Sequence, residues 1–546
     1  MAPPTREAGP PLDPIDSITL EVIGSALLSI AENMGQTLIR SAFSPNIKER
    51  RDCSTALFDA RGRVIAQAEH IPIHLGSLLG VVAAVRERFG GDIRPGDVFM
   101  ANDPYSGGGT HLPDVTMVTP VFHGEELVAF AANLAHHYDI GGAVPGGIAG
   151  NTESIYAEGL RLPPVRLQRG GSWCRDVLDI FLLNCRDPEM RRLDLEGQLA
   201  ANRVGAQRVA ALVETYGLPV LTRAMDALLD YGERKLRAAV AQVPDGEYSF
   251  TTCLDDDGAG AHDIPIAVTV SVSGDDLHLD FTGSGSQVNG AINVVPAALL
   301  ATVYYAVKAA LDPTIPANGG FHRAVSVYAP PGSILNPRPP AAVGARTDTC
   351  QVVAGAILAA FAQALPGRIP AGSNDASSAV VFSGIHPESK KPFIYVEAVG
   401  GGAGARPKGD GLDGVQVHVT NTSNLPVESL ENNYPLLIER YEFIDGSGGR
   451  GRWWGGMGLR RDVRCLTDQV VFSSHGDRHR HRPWGLAGGG PGGPGAYILN
   501  PGQPDERRLP AKVSGVILNQ GDLVRIETPG GGGYGVPDNE NGNKEQ

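Results

Sequence analysis

Along the chain, apolar positions change period several times, and each change marks an element. Leu20, Ile23, Leu27, Leu28, Ile30 and Met34 recur at helical spacing, and either Asp16 or Ser17 can cap a helix running to about residue 43. The stretch 55–67 is apolar on both sides of Asp59-Ala-Arg-Gly, a hairpin turn with Asp52 standing at one mouth of the pair. Residues 76–89 predict a second helix. Two apolar runs, 115–122 and 127–135, flank His123-Gly124, a short turn that pairs them as antiparallel strands. Residues 187–243 are strongly helical with a break at Gly217-Leu-Pro219, in a charged, Ala-rich register that reads as structural. Alternating strands follow at 248–253, 266–272 and 277–281. Apolar helices, buried on most sides, are predicted at 291–311 and 349–365, separated by a stretch rich in Pro and Gly. After Glu428 the pattern is mostly strand.

This order predicts an α+β fold: a multi-lobed, mixed α/β architecture with antiparallel and mixed sheets and a central helical segment. At 546 residues the chain is too long for one ordinary core. The expected division is a disordered arm over 1–15, a lobe bearing the site over 16–186, the helical segment 187–245, an α/β lobe over 246–430, a β-rich lobe over 431–535 and a disordered tail over 536–546.

Composition narrows the function classes. Charged residues at 19% and hydrophobic residues at 42% describe a soluble globular protein, and 71 glycines with 41 prolines imply many turns. A net charge of −14 argues against nucleic acid as a partner. The one basic knot, Asp477-Arg-His-Arg-His-Arg482, could bind an anion or an acidic partner surface, but the expectation is a solvated loop. Six cysteines without a C-x-x-C pair fit a reducing cytoplasm. No stretch resembles a signal peptide, and none reaches transmembrane length, so no membrane is expected.

The chemistry concentrates between Gly96 and Gly142. In the hairpin of 115–135, the start of the first strand lies beside the end of the second. His111 and Asp114 are thereby brought next to His136 and His137, and two imidazoles with a carboxylate at a strand end suit a divalent metal of the Zn, Mn or Fe type. The competing reading is that each His is simply solvated in a turn. Other chemistries find less support. No G-x-x-x-x-G-K-[ST] loop is present, no G-x-S-x-G elbow is present, and Ser284 has no identifiable base. Cys350 heads an apolar helix, where burial is the commoner fate. Trp453, Trp454 and Trp484, in glycine-rich loops, are candidate docking residues, although such aromatics more often pin a loop to its own core.

Several long motifs resemble the hydantoinase B/oxoprolinase family. They are Glu49-Arg-Arg-Asp-Cys-Ser, Ala68-Glu-His-Ile-Pro-Ile-His-Leu-Gly-Ser, Asn102-Asp-Pro-Tyr-Ser-Gly-Gly-Gly-Thr-His-Leu-Pro-Asp and Ala135-His-His-Tyr-Asp-Ile-Gly-Gly. Asn184-Cys-Arg-Asp-Pro, Asp280-Phe-Thr-Gly-Ser, Asn421-Thr-Ser-Asn-Leu-Pro-Val-Glu and the closing Pro-Gly-Gly-Gly-Gly-Tyr-Gly follow in the family's order. Cys53 departs from the family's more frequent Phe. The resemblance implies a metal-containing B subunit of an ATP-dependent amidohydrolase. Its substrate would be a cyclic amide such as a hydantoin, 5-oxoproline or a lactam. ATP and Mg would be held on a hydantoinase A-type ATPase partner, in a hetero-oligomer with a dimeric core. The alternatives are a subunit of an ATP-dependent ketone carboxylase and a non-catalytic scaffold for the ATPase. Carried over by motif, the metal ligands are His111, Asp114 and His136 with Asp52 as a fourth. His137 and Asp139 are the candidate catalytic proton carriers, and Glu69 and Asp103 are candidate supports behind the ligands.

Overall fold

A computed structural model of the chain describes residues 15–68, 70–147 and 150–537, so nearly all of the expected arm and of the expected tail lies outside the described residues, as does Glu69. The fold is α+β. Helix α1 (Ser17–Ser41) starts where Asp16 accepts the Thr19 amide at 2.9 Å, and it buries Ile23, Leu27, Ile30, Met34 and Leu38. The short helix α2 (Pro45–Lys48) follows.

The first sheet has seven antiparallel strands: β1 (Cys53–Asp59), β2 (Val64–Gln67), β3 (Val98–Ala101), β4 (Asp114–His123), β5 (Glu126–His136), β6 (Val165–Arg169) and β7 (Ser172–Trp173). Their order is β2-β1-β5-β4-β3-β6-β7. Both expected hairpins form, with Gly62 (φ 78°) and Gly124 (φ 60°) supplying the left-handed turn residues. The central strands read as continuous apolar runs because both faces are covered. Leu57, Ala129 and Ala131 pack under α1, while Ala56, Phe58, Phe130 and Ala132 pack under α3 (His74–Phe89).

The helical segment is α4 (Arg175–Leu183), α5 (Pro188–Tyr216) and α6 (Leu218–Val240), broken at Gly217 with φ 78°. In keeping with a structural register, α5 buries two amides against the hairpin. Gln198 Nε2 donates to the Val115 carbonyl at 2.9 Å and Asn202 Nδ2 to the Met117 carbonyl at 3.1 Å.

A second sheet, β8 (Gly246–Asp256), β9 (His262–Ser273), β10 (Asp276–Asp280) and β11 (Val325–Tyr328), is mixed, because β10 and β11 run parallel. Helices α7 (Pro296–Leu311) and α8 (Arg346–Ala364) pack together; α7 begins at Pro296 rather than near 291 because Val295 is still extended. A third sheet joins β12 (Ala379–Ile385), β13 (Pro392–Ala398), β16 (Val470–His475) and β19 (Val513–Leu518) in the order β13-β12-β16-β19. Past α9 (Val427–Asn433), the fourth sheet has the order β14-β15-β20-β17-β18, from β14 (Leu436–Phe443), β15 (Leu459–Cys465), β17 (Ala496–Leu499), β18 (Arg507–Leu509) and β20 (Leu523–Glu527). No described helix is long and apolar enough to cross a membrane.

The loop between β3 and β4 is pressed against α3 through paired glycines. A Cβ on Gly80 would stand 2.1 Å from the Gly108 carbonyl oxygen, and one on Gly108 (φ 76°) would stand 2.1 Å from Gly80. Gly80→Ala therefore forces two backbones apart. We expect a loss of about 1–3 kcal/mol in denaturant unfolding, and an unchanged midpoint would show that the loop yields freely.

Candidate metal centre

Strand register assembles the site. Asp114 opens β4 and pairs with His136, the last residue of β5, while β1 flanks β5 on its other side with Cys53 opposite Ala135. Asp52, just before β1, falls beside them, and its carbonyl accepts the His136 amide at 3.0 Å. His111 arrives from the turn before β4. One donor atom from each of His111, Asp114 and His136 lies within 4.8 Å of the others, and all three residues are buried.

Hydrogen bonding fixes which nitrogen of His111 faces this point. Its Nδ1 lies 3.1 Å from the Gly344 carbonyl oxygen, which can only accept, so Nδ1 carries the proton and Nε2 the lone pair. Burial, helped by the Arg346 charge, lowers the His111 pKa against the opposing pull of Asp114, so the ring is neutral near pH 7. Nε2 stands 3.1 Å from Asp114 Oδ1, and neither atom has a hydrogen-bond partner. Two buried lone pairs facing each other are costly unless a cation lies between them. Ligands bonded at about 2.0–2.2 Å to a tetrahedral ion sit roughly 3.3 Å apart. The donor set fits a divalent ion of the Zn, Mn or Fe type.

The other Asp114 oxygen is fully engaged. Oδ2 accepts Arg346 Nη2 at 2.6 Å and Thr110 Oγ1 at 3.1 Å. Burial pushes this carboxyl up, but the groups around it outweigh burial, and Arg346, the permanently charged one, keeps Asp114 below the usual carboxylate range. Burial drives His136 down to about 3, with Asp52 opposing. Asn46 braces that residue, its Nδ2 donating to the His136 carbonyl at 2.7 Å, and Arg50 in turn donates to Asn46 Oδ1 at 2.5 Å.

The expected residues divide into those at the centre and those beside it. His111, Asp114, His136 and Asp52 all line one cavity of about 70 Å³. His137 and Asp139 do not line it. The His137 Nε2 lies 3.0 Å from Gln198 Oε1 on the α5 side, because successive residues at a strand end point to opposite faces. Asp139 is a brace, bonded to Arg186 through its side chain at 2.8 Å. Asp103 ties its own loop, accepting from Ser106 and from Arg161 Nε at 3.0 Å.

Sequence reasoning missed two residues at the centre. His74 Nε2 lies 3.5 Å from Asp52 Oδ1 and 3.8 Å from Asp114 Oδ1, with Nδ1 held 3.0 Å from Ser54 Oγ. The spacing of His70 and His74 ahead of a helix was the available signal. Arg346, at the head of α8, carried a signal only as a charge opening an otherwise apolar helix.

The remaining candidate chemistry resolves structurally. The basic knot is solvated only in part: Arg480 and Arg482 are exposed, but Arg478 is buried, and Asp255 accepts the amides of His479, Arg480 and His481 at 2.6–3.0 Å. An acidic partner from a distant strand had no signature beside the knot. Cys350 is fully buried, which raises its thiol to about 11. Trp484 packs on Phe250 with ring centroids 5.8 Å apart, while Trp454 is half exposed. A larger cavity of about 290 Å³, walled by Leu75, Tyr304, Tyr305 and Phe321, meets the small one at Ile71.

Comparison with known proteins places the chain in a family. Residues 16–537 match the family model described as hydantoinase B/oxoprolinase. The B subunit of a putative D-/L-hydantoinase from a Pseudomonas species is 36% identical, over 96% of this chain and 91% of that one. The crystal structure of the ATP-dependent caprolactamase from Pseudomonas jessenii superposes with a TM-score of 0.89 at 33% identity, over 96% of this chain and 91% of the other. A nucleotide-free acetone carboxylase structure superposes at 0.88 over 95% of this chain and 76% of the other, at 18% identity, a likeness of fold alone.

Two measurements test the electrostatics. Arg346→Leu strips the partner from a buried carboxylate, and the metal-free protein should lose about 3–5 kcal/mol of unfolding free energy; a loss below about 1 kcal/mol would show that Asp114 does not depend on it. Glu158 supports the Gly344 turn, with Oε1 accepting the Val343 and Gly344 amides at 2.8 and 2.7 Å. Burial raises its carboxyl to about 8 against those two bonds. Between the ordinary carboxyl range and about pH 8 the native state binds the extra proton, so stability falls as pH rises through that window. Glu158→Gln should flatten this slope in unfolding measured across the same range; an unaltered slope would assign it to other groups.

Proposed function

This chain belongs to the hydantoinase B/oxoprolinase family, and on that premise we propose that it is the metal-containing B subunit of an ATP-dependent amidohydrolase. Its substrate is a cyclic amide (a hydantoin, 5-oxoproline or a lactam) activated on the carbonyl oxygen by a hydantoinase A-type ATPase partner. The observation that carries the reading is the pair of orphaned, buried lone pairs on His111 Nε2 and Asp114 Oδ1. A scaffold has no reason to bury them facing each other without a cation.

The division of labour follows from amide chemistry. Resonance makes an amide a poor electrophile, so activation of its oxygen and delivery of water are separate tasks. His111, Asp114 and His136 would hold the ion, with Asp52 beside them as a fourth ligand. The ion would supply Lewis acidity toward an oxygen of water or substrate. The chain's own residues do the rest. Gly344 fixes the His111 tautomer, Asn46 sets His136, and Arg346 keeps Asp114 ionised in a dry setting. Arg50, which lines the cavity with Nε unpartnered, is the cation available to an anionic group on an activated substrate. At about 70 Å³ the cavity has room for the reacting end of a substrate.

The ligand assignment is tested by substitution. His111→Ala and Asp114→Ala should each abolish ring opening and lower bound metal while the far-ultraviolet circular dichroism is kept; His123→Ala, in the turn at the far end of the hairpin, should behave as wild type. Full metal and full turnover in either ligand variant would sink the assignment. The two-subunit reading is tested by reconstitution. This chain alone should neither hydrolyse ATP nor open a cyclic amide, and addition of the ATPase partner should produce both activities. ATP-dependent turnover by this chain alone would overturn it, and carboxylation of a ketone by the mixture would favour the carboxylase instead.

A further inference from the structure

Four imidazoles line the small cavity: His74, His111, His136 and His475. The first three are committed. His111 and His136 belong to the donor set, and His74 lies between the Asp52 and Asp114 carboxylates. His475 is not. It ends β16 and is buried with its Nδ1 2.9 Å from Asp348 Oδ2.

Asp348 is fully buried, and its second oxygen accepts the Ser377 amide at 3.2 Å. A carboxylate on Nδ1 holds the proton there and leaves the lone pair on Nε2, which makes no hydrogen bond among the described residues. Asp348 and Arg346 share the first turn of α8, so one turn of helix both neutralises Asp114 and orients the unused imidazole. His137 and Asp139, the proton carriers suggested by sequence, are engaged outside the cavity.

We propose that His475, positioned by Asp348, is the catalytic residue that moves the proton between water and the leaving nitrogen during ring opening. The role rests on the hydrolase reading above. As one O–H bond of water breaks, its oxygen bonds to the activated carbon, the π pair of that carbon moves to the ring nitrogen, and Nε2 takes the proton. When the C–N bond breaks, its electron pair goes to nitrogen, which takes that proton back from Nε2, while the new oxygen closes a C=O bond and its remaining proton passes to the amine. His475 returns to its starting state; one water is consumed in opening the ring, and a second cleaves the activating group from the carboxyl product. Asp348 touches no reacting atom. It fixes the tautomer and balances the charge on the ring while Nε2 is protonated.

The experiment uses the purified complex with its ATPase partner and a panel of hydantoin, 5-oxoproline and caprolactam, reading ring-opened product and bound metal. His475→Gln should keep full metal and an unchanged KM while kcat falls roughly 10²–10⁴-fold. In His475→Ala, added imidazole should restore part of the lost rate, a response that a purely structural role would not give. Asp348→Asn should lower kcat at constant KM and constant metal. Ring opening by His475→Gln within a few-fold of wild type, or a loss of metal in step with the loss of rate, would overturn the assignment. A fully metallated wild-type complex that opens none of the panel would instead overturn the hydrolase reading, and this role with it.

Discussion

One buried carboxylate organises the region around the first sheet. Asp114 is fully buried and ionised. An unpaired charge there would cost several kcal/mol of desolvation. Its environment is the offset. Arg346 and Thr110 satisfy one oxygen, and imidazoles crowd the other. The elements that carry these groups are held in turn by close backbone approaches. Gly80 meets Gly108, and a Cβ on Gly76 would stand 2.3 Å from the Ala297 carbonyl oxygen, so α3 sits hard against both the ligand loop and the start of α7.

The charge also explains why amides are buried under the hairpin. Gln198 and Asn202 on α5 bond to carbonyls of β4 and to Asn133 of β5. An apolar helix would pack as well, but it would allow β4 and β5 to slide. With side chains alternating faces, a one-residue slip would turn Asp114 or His136 away from the site. The amide ladder ties the helix to one register, and the meeting of Asp114 with His136 needs that register.

What was legible in the sequence was what the chain builds locally. A turn at His123-Gly124 and two apolar runs were enough to place Asp114 beside His136, because an antiparallel hairpin has few other pairings. The choice between His136 and His137 needed the parity of the strand end, which the hairpin pattern alone leaves open. Arg346, His74 and His475 belong to the same cavity but come from elements whose docking no local pattern encodes. Arg346 bonds Asp114 across 232 residues of chain. The buried part of the basic knot at 477–482 escaped for the same reason, since its partner Asp255 lies more than 200 residues earlier. Strands β12 and β13, which wall the cavity through Ala379, Val396 and Glu397, had no hairpin signal as clear as the first one.

That split between near and far contacts has a consequence in time. The donors His111, Asp114 and His136 need only one hairpin to meet, and local hairpins close in microseconds. The cavity walls wait for α8 and β16, which leave the ribosome hundreds of residues later, and at roughly 5–20 residues per second that delay lasts many seconds. During the interval the donors form an open cradle at the end of a growing sheet. Once α8 docks, the same atoms lie behind buried side chains. The same three side chains are thus exposed on the growing chain and walled by distant elements in the finished one.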